Sequence, residues 1–218
     1  MSGAGLGFGA RVGRLVRHEG RWLVSLVWWV VRHRGGVPAG ARALPYAGAQ
    51  AALLYGLTFV CGVETVGASL LVRDLPVVHA VTLVVDVYAV LMVLGNQAAA
   101  VTRPHVVGAD GVVVRDGARM AVRIPLERIA SVRYDLRFGR GARDDGVLEL
   151  AVGGQTSVTL ELTGPVEAVR LLGRREVVRT VRFHADDARG AVAAVRGAVA
   201  EARTSGRAAE PGESVAPG

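Results

Sequence analysis

The chain has 218 residues, 51% of them hydrophobic, and 26 basic residues against 19 acidic ones give a net charge of +7; its mean hydropathy is +0.36. That apolar content excludes a disordered chain, and its concentration in one stretch excludes an ordinary water-soluble domain. Every basic residue is Arg, which removes Schiff-base chemistry and a P-loop lysine from the possible activities.

Residues 1–46 form a basic N-terminal region with seven arginines. Gly5, Gly7 and Ala10 fit the spacing G-x-G-x-x-A, but no strand precedes them, so dinucleotide binding is rejected. Arg11, Arg14, Arg17 and Arg21 recur at helical spacing, and the apolar segment Trp22–Val31 that follows is ten residues long. That is too short to cross about 30 Å of hydrocarbon. It contains the chain's three tryptophans, Trp22, Trp28 and Trp29, and is predicted to be an amphipathic helix lying in the membrane interface, its arginines toward anionic lipid. A re-entrant or helix-packing segment is the alternative. The Gly/Pro-rich piece from Gly35 to Pro45 reads as a linker.

From Ala43 to Val72 there is no Arg and Glu64 is the only charge; after the break Arg73-Asp74-Leu75-Pro76, residues Val77 to Val101 hold only Asp86 and His79 as ionisable groups. These lengths predict a transmembrane hairpin over 47–101, with helices at about 47–72 and 76–101. A four-residue connection forces the helices antiparallel, and Pro76 suits the first turn of the second helix. Seven arginines lie before the hairpin, one in its turn, and the chain after Val101 is again basic, so both termini are expected in the cytoplasm, with the chain a multi-pass protein of the cell membrane. The lone Cys61 falls inside the first helix and reads as a small packing residue.

Beyond Thr102 the period changes to two. Met120, Val122 and Ile124 alternate with Arg119, Ala121 and Arg123; Val132, Tyr134, Leu136 and Phe138 alternate with Arg133, Asp135 and Arg137. Leu148, Leu150 and Val152, then Val158, Leu160 and Leu162, repeat the pattern, with turn signals at Asp110-Gly111, Asp116-Gly117, Asp145-Gly146 and Gly153-Gly154. These are predicted half-buried antiparallel strands whose aromatic residues point inward. One more strand at about 177–184 precedes a helix capped by Asp186 or Asp187, with Ala191, Val192, Val195, Ala198 and Val199 on one face. The cytoplasmic domain is thus 102–203, and 204–218 reads as a disordered tail.

The run DGVVVRDG (Asp110–Gly117) followed by RIPLERIASVRYDL (Arg123–Leu136) resembles bacterial PH-like domains, and the chain as a whole resembles actinobacterial integral membrane proteins in which two transmembrane helices precede such a domain. The resemblance implies a mainly-β PH-like barrel of about seven antiparallel strands with a C-terminal helix. It implies no activity.

Two features carry candidate chemistry. Glu64 lies ten residues before Asp74 and Asp86 twelve after it, which puts both roughly 15–18 Å from the turn, near the bilayer midplane. Carboxylates there mark ion or proton paths, with His79 two turns along as a relay, or a contact with another membrane subunit or a second copy. Alternatively they are protonated and bond each other, Thr58, Thr65, Thr82 or Tyr88, and hold the helices together. The second feature is the outward face of Arg119, Arg123, Arg133 and Arg137, which with the N-terminal arginines would attract anionic lipid of the inner leaflet. Interleaved acidic residues and inward aromatics leave no platform for nucleic acid. No G-x-S-x-G, H-E-x-x-H or Walker motif occurs, and no cofactor is implied. The five histidines lack metal-ligand spacing, and His105 and His184 read as surface or strand-end residues. The expected role is a membrane-tethered binding or scaffolding module, not an enzyme; the alternative is an accessory subunit of a proton- or ion-linked membrane complex built on Glu64 and Asp86.

Overall fold

The computed structural model describes residues 8–33, 35–139, 145–169 and 175–209. The ends of the chain, 1–7 and 210–218, on which parts of the readings of both termini fall, lie outside the described residues. Helix α1 (Phe8–Val30) leads through a loop to β1 (Arg42–Leu44), then α2 (Gly48–Leu71) and α3 (Pro76–Thr102). Next come β2 (His105–Gly108), β3 (Gly111–Asp116), β4 (Met120–Ile124), a 3-10 turn (Leu126–Arg128), β5 (Ile129–Phe138), β6 (Val147–Leu150), β7 (Gln155–Val169), β8 (Arg175–Phe183) and α4 (Ala188–Ala209).

α2 and α3 form the expected antiparallel hairpin, within a residue or two of the expected bounds, with Pro76 in the first turn of α3. Both are long and apolar enough to cross a membrane. No residue of α2 is buried by the protein, and Leu53, Phe59, Leu71, Val77 and Val84 all point away from it. Apolar surface on this scale is unfavourable in water and matches hydrocarbon. The last two turns of α3 differ: Gly95 and residues 97–100 are buried where the helix enters the rest of the protein.

The strands form two four-stranded sheets, ordered β1-β2-β3-β4 and β5-β7-β8-β6, around a core that α4 closes with Ala191, Val192 and Val195. Asp187 caps α4 by accepting a hydrogen bond from the Gly190 N–H at 2.8 Å. The expectation of about seven antiparallel strands in a single barrel is therefore corrected: the described residues form eight strands in two sheets. One pair is parallel, β6 with β8: the Gly153-Gly154 turn closes a single bridge, Val152 with Gln155, and β6 and β7 then part.

Three further expectations are corrected. The Gly35–Pro45 linker contains β1, which pairs with β2 and so belongs to the sheet of the C-terminal domain. The tryptophan segment is continuous with the arginine-bearing turns before it in the 23-residue α1, and at Trp22, 2% exposed against Gly95 and Ala99 of α3, it packs on a helix, the small residues there leaving room for an indole. Tyr134, Leu136 and Phe138 point outward, Phe138 with 74% exposure. β5 is an edge strand with an irregularity between Tyr134 and Arg137, and α4, whose Arg196 and Arg203 side chains bond the carbonyls of Val132 and Ile129, covers only its first half. Finally, α4 continues through 204–209 instead of ending at 203.

Candidate functional site

The hairpin and the sheets meet at a junction built on Tyr46 and His105. His105 is 1% exposed, its ring stacked on Tyr46 with centroids 4.2 Å apart and edge-on to Phe183. The Arg115 N–H donates to its Nδ1 at 2.9 Å, so Nε2 carries the hydrogen and donates to the His184 carbonyl, also at 2.9 Å. Burial pushes the His105 pKa down to about 3, which leaves the ring neutral. The Tyr46 hydroxyl accepts the Gly117 N–H at 2.8 Å, and burial raises its pKa. Of the two placements expected for His105 and His184, surface or strand end, the structure has the second, His105 opening β2 and His184 directly following β8, and both are buried; nothing in the spacing of a lone His after Arg103-Pro104 signals that it enters the core.

Asp186 completes the junction. Its carboxylate accepts the Gly48 N–H at 3.1 Å, its own N–H donates to the Pro45 carbonyl, and it thereby places a negative charge at the N-terminus of α2. Gln97, 1% exposed, accepts from Gln50 and so joins the bases of the two helices.

On the other side of this junction the structure opens a cavity of about 430 Å³ lined by Arg21 and Trp28 of α1, Gly35 and Gly36, Arg103 at the end of α3, and Arg115, Met120 and Arg123 of β3 and β4. Among the described residues four arginines and no carboxylate line it. Arg115 is held by backbone carbonyls: Nη1 donates to Gly35 and Pro104 and Nη2 to Gly36. Arg103 donates from Nε to Ser25 Oγ and from Nη2 to the Arg21 carbonyl, with its guanidinium 5.1 Å from the Trp28 ring centroid. Burial, reinforced by the other arginines of the cluster, holds the pKa of Arg103 and of Arg115 below the usual arginine range. Both stay charged, and the cluster carries uncompensated positive charge.

The sequence-derived arginines thus divide. Arg21 and Arg123 line the cavity, where Arg103 and Arg115 join them. Arg119 leans on Asp116 at 3.9 Å. Arg133 and Arg137 stand on the other sheet, paired with Glu161 and Asp135, because β4 and β5 are not neighbours. The four expected lipid contacts on the strands therefore do not form one face. Arg11, Arg14 and Arg17 lie on α1, and their side chains lie outside the described part of the structure.

In the hairpin, Asp86 and His79 sit on the half-buried seam of α3, while Glu64 is exposed, off the α2 seam marked by Leu54, Thr58, Cys61 and Thr65. Among the described residues neither Glu64 nor Asp86 has a hydrogen-bond or ion-pair partner. Thr58 and Thr65 bond the carbonyls one turn back, and Tyr88 donates to Glu19 of α1. Glu64 thus stands off the α2 seam while Asp86 lies on that of α3.

Compared with known proteins, the chain matches no family model, no curated protein sequence and no solved structure.

Proposed function

We propose that the chain is a membrane-tethered binding module: the hairpin spans the cell membrane with both termini in the cytoplasm, and the sheet domain presents the arginine cavity at the inner leaflet. The observation that carries this reading is the convergence of Arg21, Arg103, Arg115 and Arg123 around one cavity without a carboxylate, at the foot of two apolar helices. Uncompensated charge of this kind calls for an anionic partner, and the excess of arginine on that side of the hairpin agrees with a cytoplasmic placement. Kinship with bacterial PH-like domains belongs to the same proposal. Two sheets closed by a C-terminal helix support it; the eight strands and the parallel pair are departures from it. No catalytic role is proposed, and the exposure of Glu64 off the helix seam gives the ion-linked alternative no favouring observation.

Thiol labelling tests the placement. In a Cys61→Ser background, Asp74→Cys is expected to react with a membrane-impermeant maleimide in intact cells and Ser205→Cys only after permeabilisation. Labelling of Ser205→Cys in intact cells overturns the reading.

A further inference from the structure

We propose that the arginine cavity binds the phosphate of an anionic membrane lipid, and that the ligand is one carrying at least two negative charges, a phosphomonoester or a paired-phosphate headgroup. The inference rests on the membrane-tethered reading and gives its site a ligand class.

The chemistry of the lining comes first. Elsewhere this protein pairs arginines with carboxylates: Arg133 and Arg137 with Glu161 and Asp135, Arg175 with Glu167. At the cavity, four guanidinium groups from α1, the end of α3 and the β3–β4 hairpin converge with none. A guanidinium fork fits phosphate oxygens in a bidentate manner, and charge-assisted contacts of this kind are among the stronger ones. Two of the forks are already positioned. Arg115 uses three of its five N–H donors on the carbonyls of Gly35, Pro104 and Gly36, and Arg103 uses two on Ser25 and Arg21. The remaining donors are held in place before a ligand arrives, which lowers the entropy lost on binding. One singly charged phosphodiester compensates a single charge of four, so a doubly charged headgroup is the better match. The volume of about 430 Å³ lies within the range of small-ligand sites.

Depth selects a lipid as the source of the phosphate. The 27 residues of α3 make a helix of about 40 Å, the thickness of a bilayer with its headgroups, about 40–45 Å. Arg103 follows directly on the last residue of that helix, so the cavity it lines lies at headgroup level. Trp28, an interfacial side chain, forms part of the wall. The same α1 that supplies Arg21 and Trp28 presents Leu23, Val27 and Val30 outward on its opposite face, an apolar strip suited to contact with the membrane.

The test uses the full-length protein, stripped of lipid in detergent and mixed with phosphatidylcholine carrying a minor fraction of phosphatidic acid, cardiolipin or phosphatidylglycerol, with bound lipid counted by native mass spectrometry. One phosphatidic acid or cardiolipin per chain is expected to be retained in preference to the other two lipids. Arg123→Gln, on the exposed strand edge, lowers that retention by about tenfold, the loss of one charge-assisted contact. Arg133→Gln makes the same charge change on the other sheet and leaves retention unaltered. Equal retention of all four lipids, or equal loss in both variants, overturns the proposal in favour of undirected attraction between charges. Inorganic phosphate that raises the unfolding temperature as far as phosphatidic acid does at equal concentration overturns the lipid as the source. The labelling experiment stays independent: Ser205→Cys protected in intact cells together with no lipid preference removes the ligand and leaves the tethered module, whereas its labelling from outside removes the module itself.

Discussion

His105 is limited to one tautomer by the Arg115 N–H on one nitrogen and the His184 carbonyl on the other, and burial holds it neutral. Unfolded, the ring takes up a proton near its ordinary 6.5; folded, it does so only near about 3. Between those values the unfolded chain binds more protons, so the contribution of this residue is fully present above about 6.5 and is lost as the pH falls toward 3. His184, lowered by burial against the opposing pull of Asp186, adds to the same decline. Unfolding temperatures of the full chain in detergent are expected to drop through this window, and His105→Gln to flatten the drop while lowering the value at pH 7. Tyr46→Phe leaves the Gly117 N–H without its acceptor and is expected to cost about 1–3 kcal/mol in denaturant unfolding. Neither residue was legible beforehand as part of a junction. The sequence shows Tyr46 ahead of a helix and His105 behind another, and only the antiparallel return of the hairpin stacks them.

The elements carry their own signals unevenly. α2, α3 and α4 follow from apolar content and periodicity, and the outward Arg123 of β4 from alternation. In β5 alternation misleads, because a period of two states which residues share a face and leaves open whether anything covers it; α4 starts at Ala188, too late to reach Leu136 or Phe138. The β6–β7 turn illustrates contact between elements. Gly153, at φ +58°, would bring a Cβ to 2.8 Å from the Ala49 carbonyl, whereas Gly154, at φ +76°, meets nothing within 4 Å. Both positions favour glycine, so Gly153→Ala is expected to lower the unfolding temperature more than Gly154→Ala, the difference reporting the clash with α2. At the other end of this contact, Asp186→Asn keeps an acceptor for Gly48 but removes the charge from the N-terminus of α2, a loss of about 0.3–1 kcal/mol measurable in low salt and smaller in high salt. Glu64, exposed off the helix seam, is expected to tolerate Glu64→Leu with unchanged or higher stability; a loss of folded protein in that variant would show that the carboxylate has a partner in the membrane.

For the whole molecule, the division into a basic N-terminal region, a hairpin and a C-terminal domain holds as an order along the chain and fails as a set of separable units. β1 lies before the hairpin and completes a sheet that begins after it, and Tyr46, also before the hairpin, covers His105. Residues 102–203 alone are therefore expected to show weaker amide-exchange protection in β2 and β3 than the same strands in the full chain; equal protection would mean that the domain closes without β1. The sequence by itself determined the two apolar spans, their antiparallel arrangement, most of the strands and the capped C-terminal helix, because each depends on periodicity and length within a single stretch. Only the tertiary structure decided that β1 joins the second half of the chain, that Arg21, Arg103, Arg115 and Arg123 share one cavity while Arg133 and Arg137 are neutralised elsewhere, and that Glu64 stands off the helix seam. Those outcomes depend on which segments pack together over separations of tens of residues, and a local pattern of polarity carries no information about that choice.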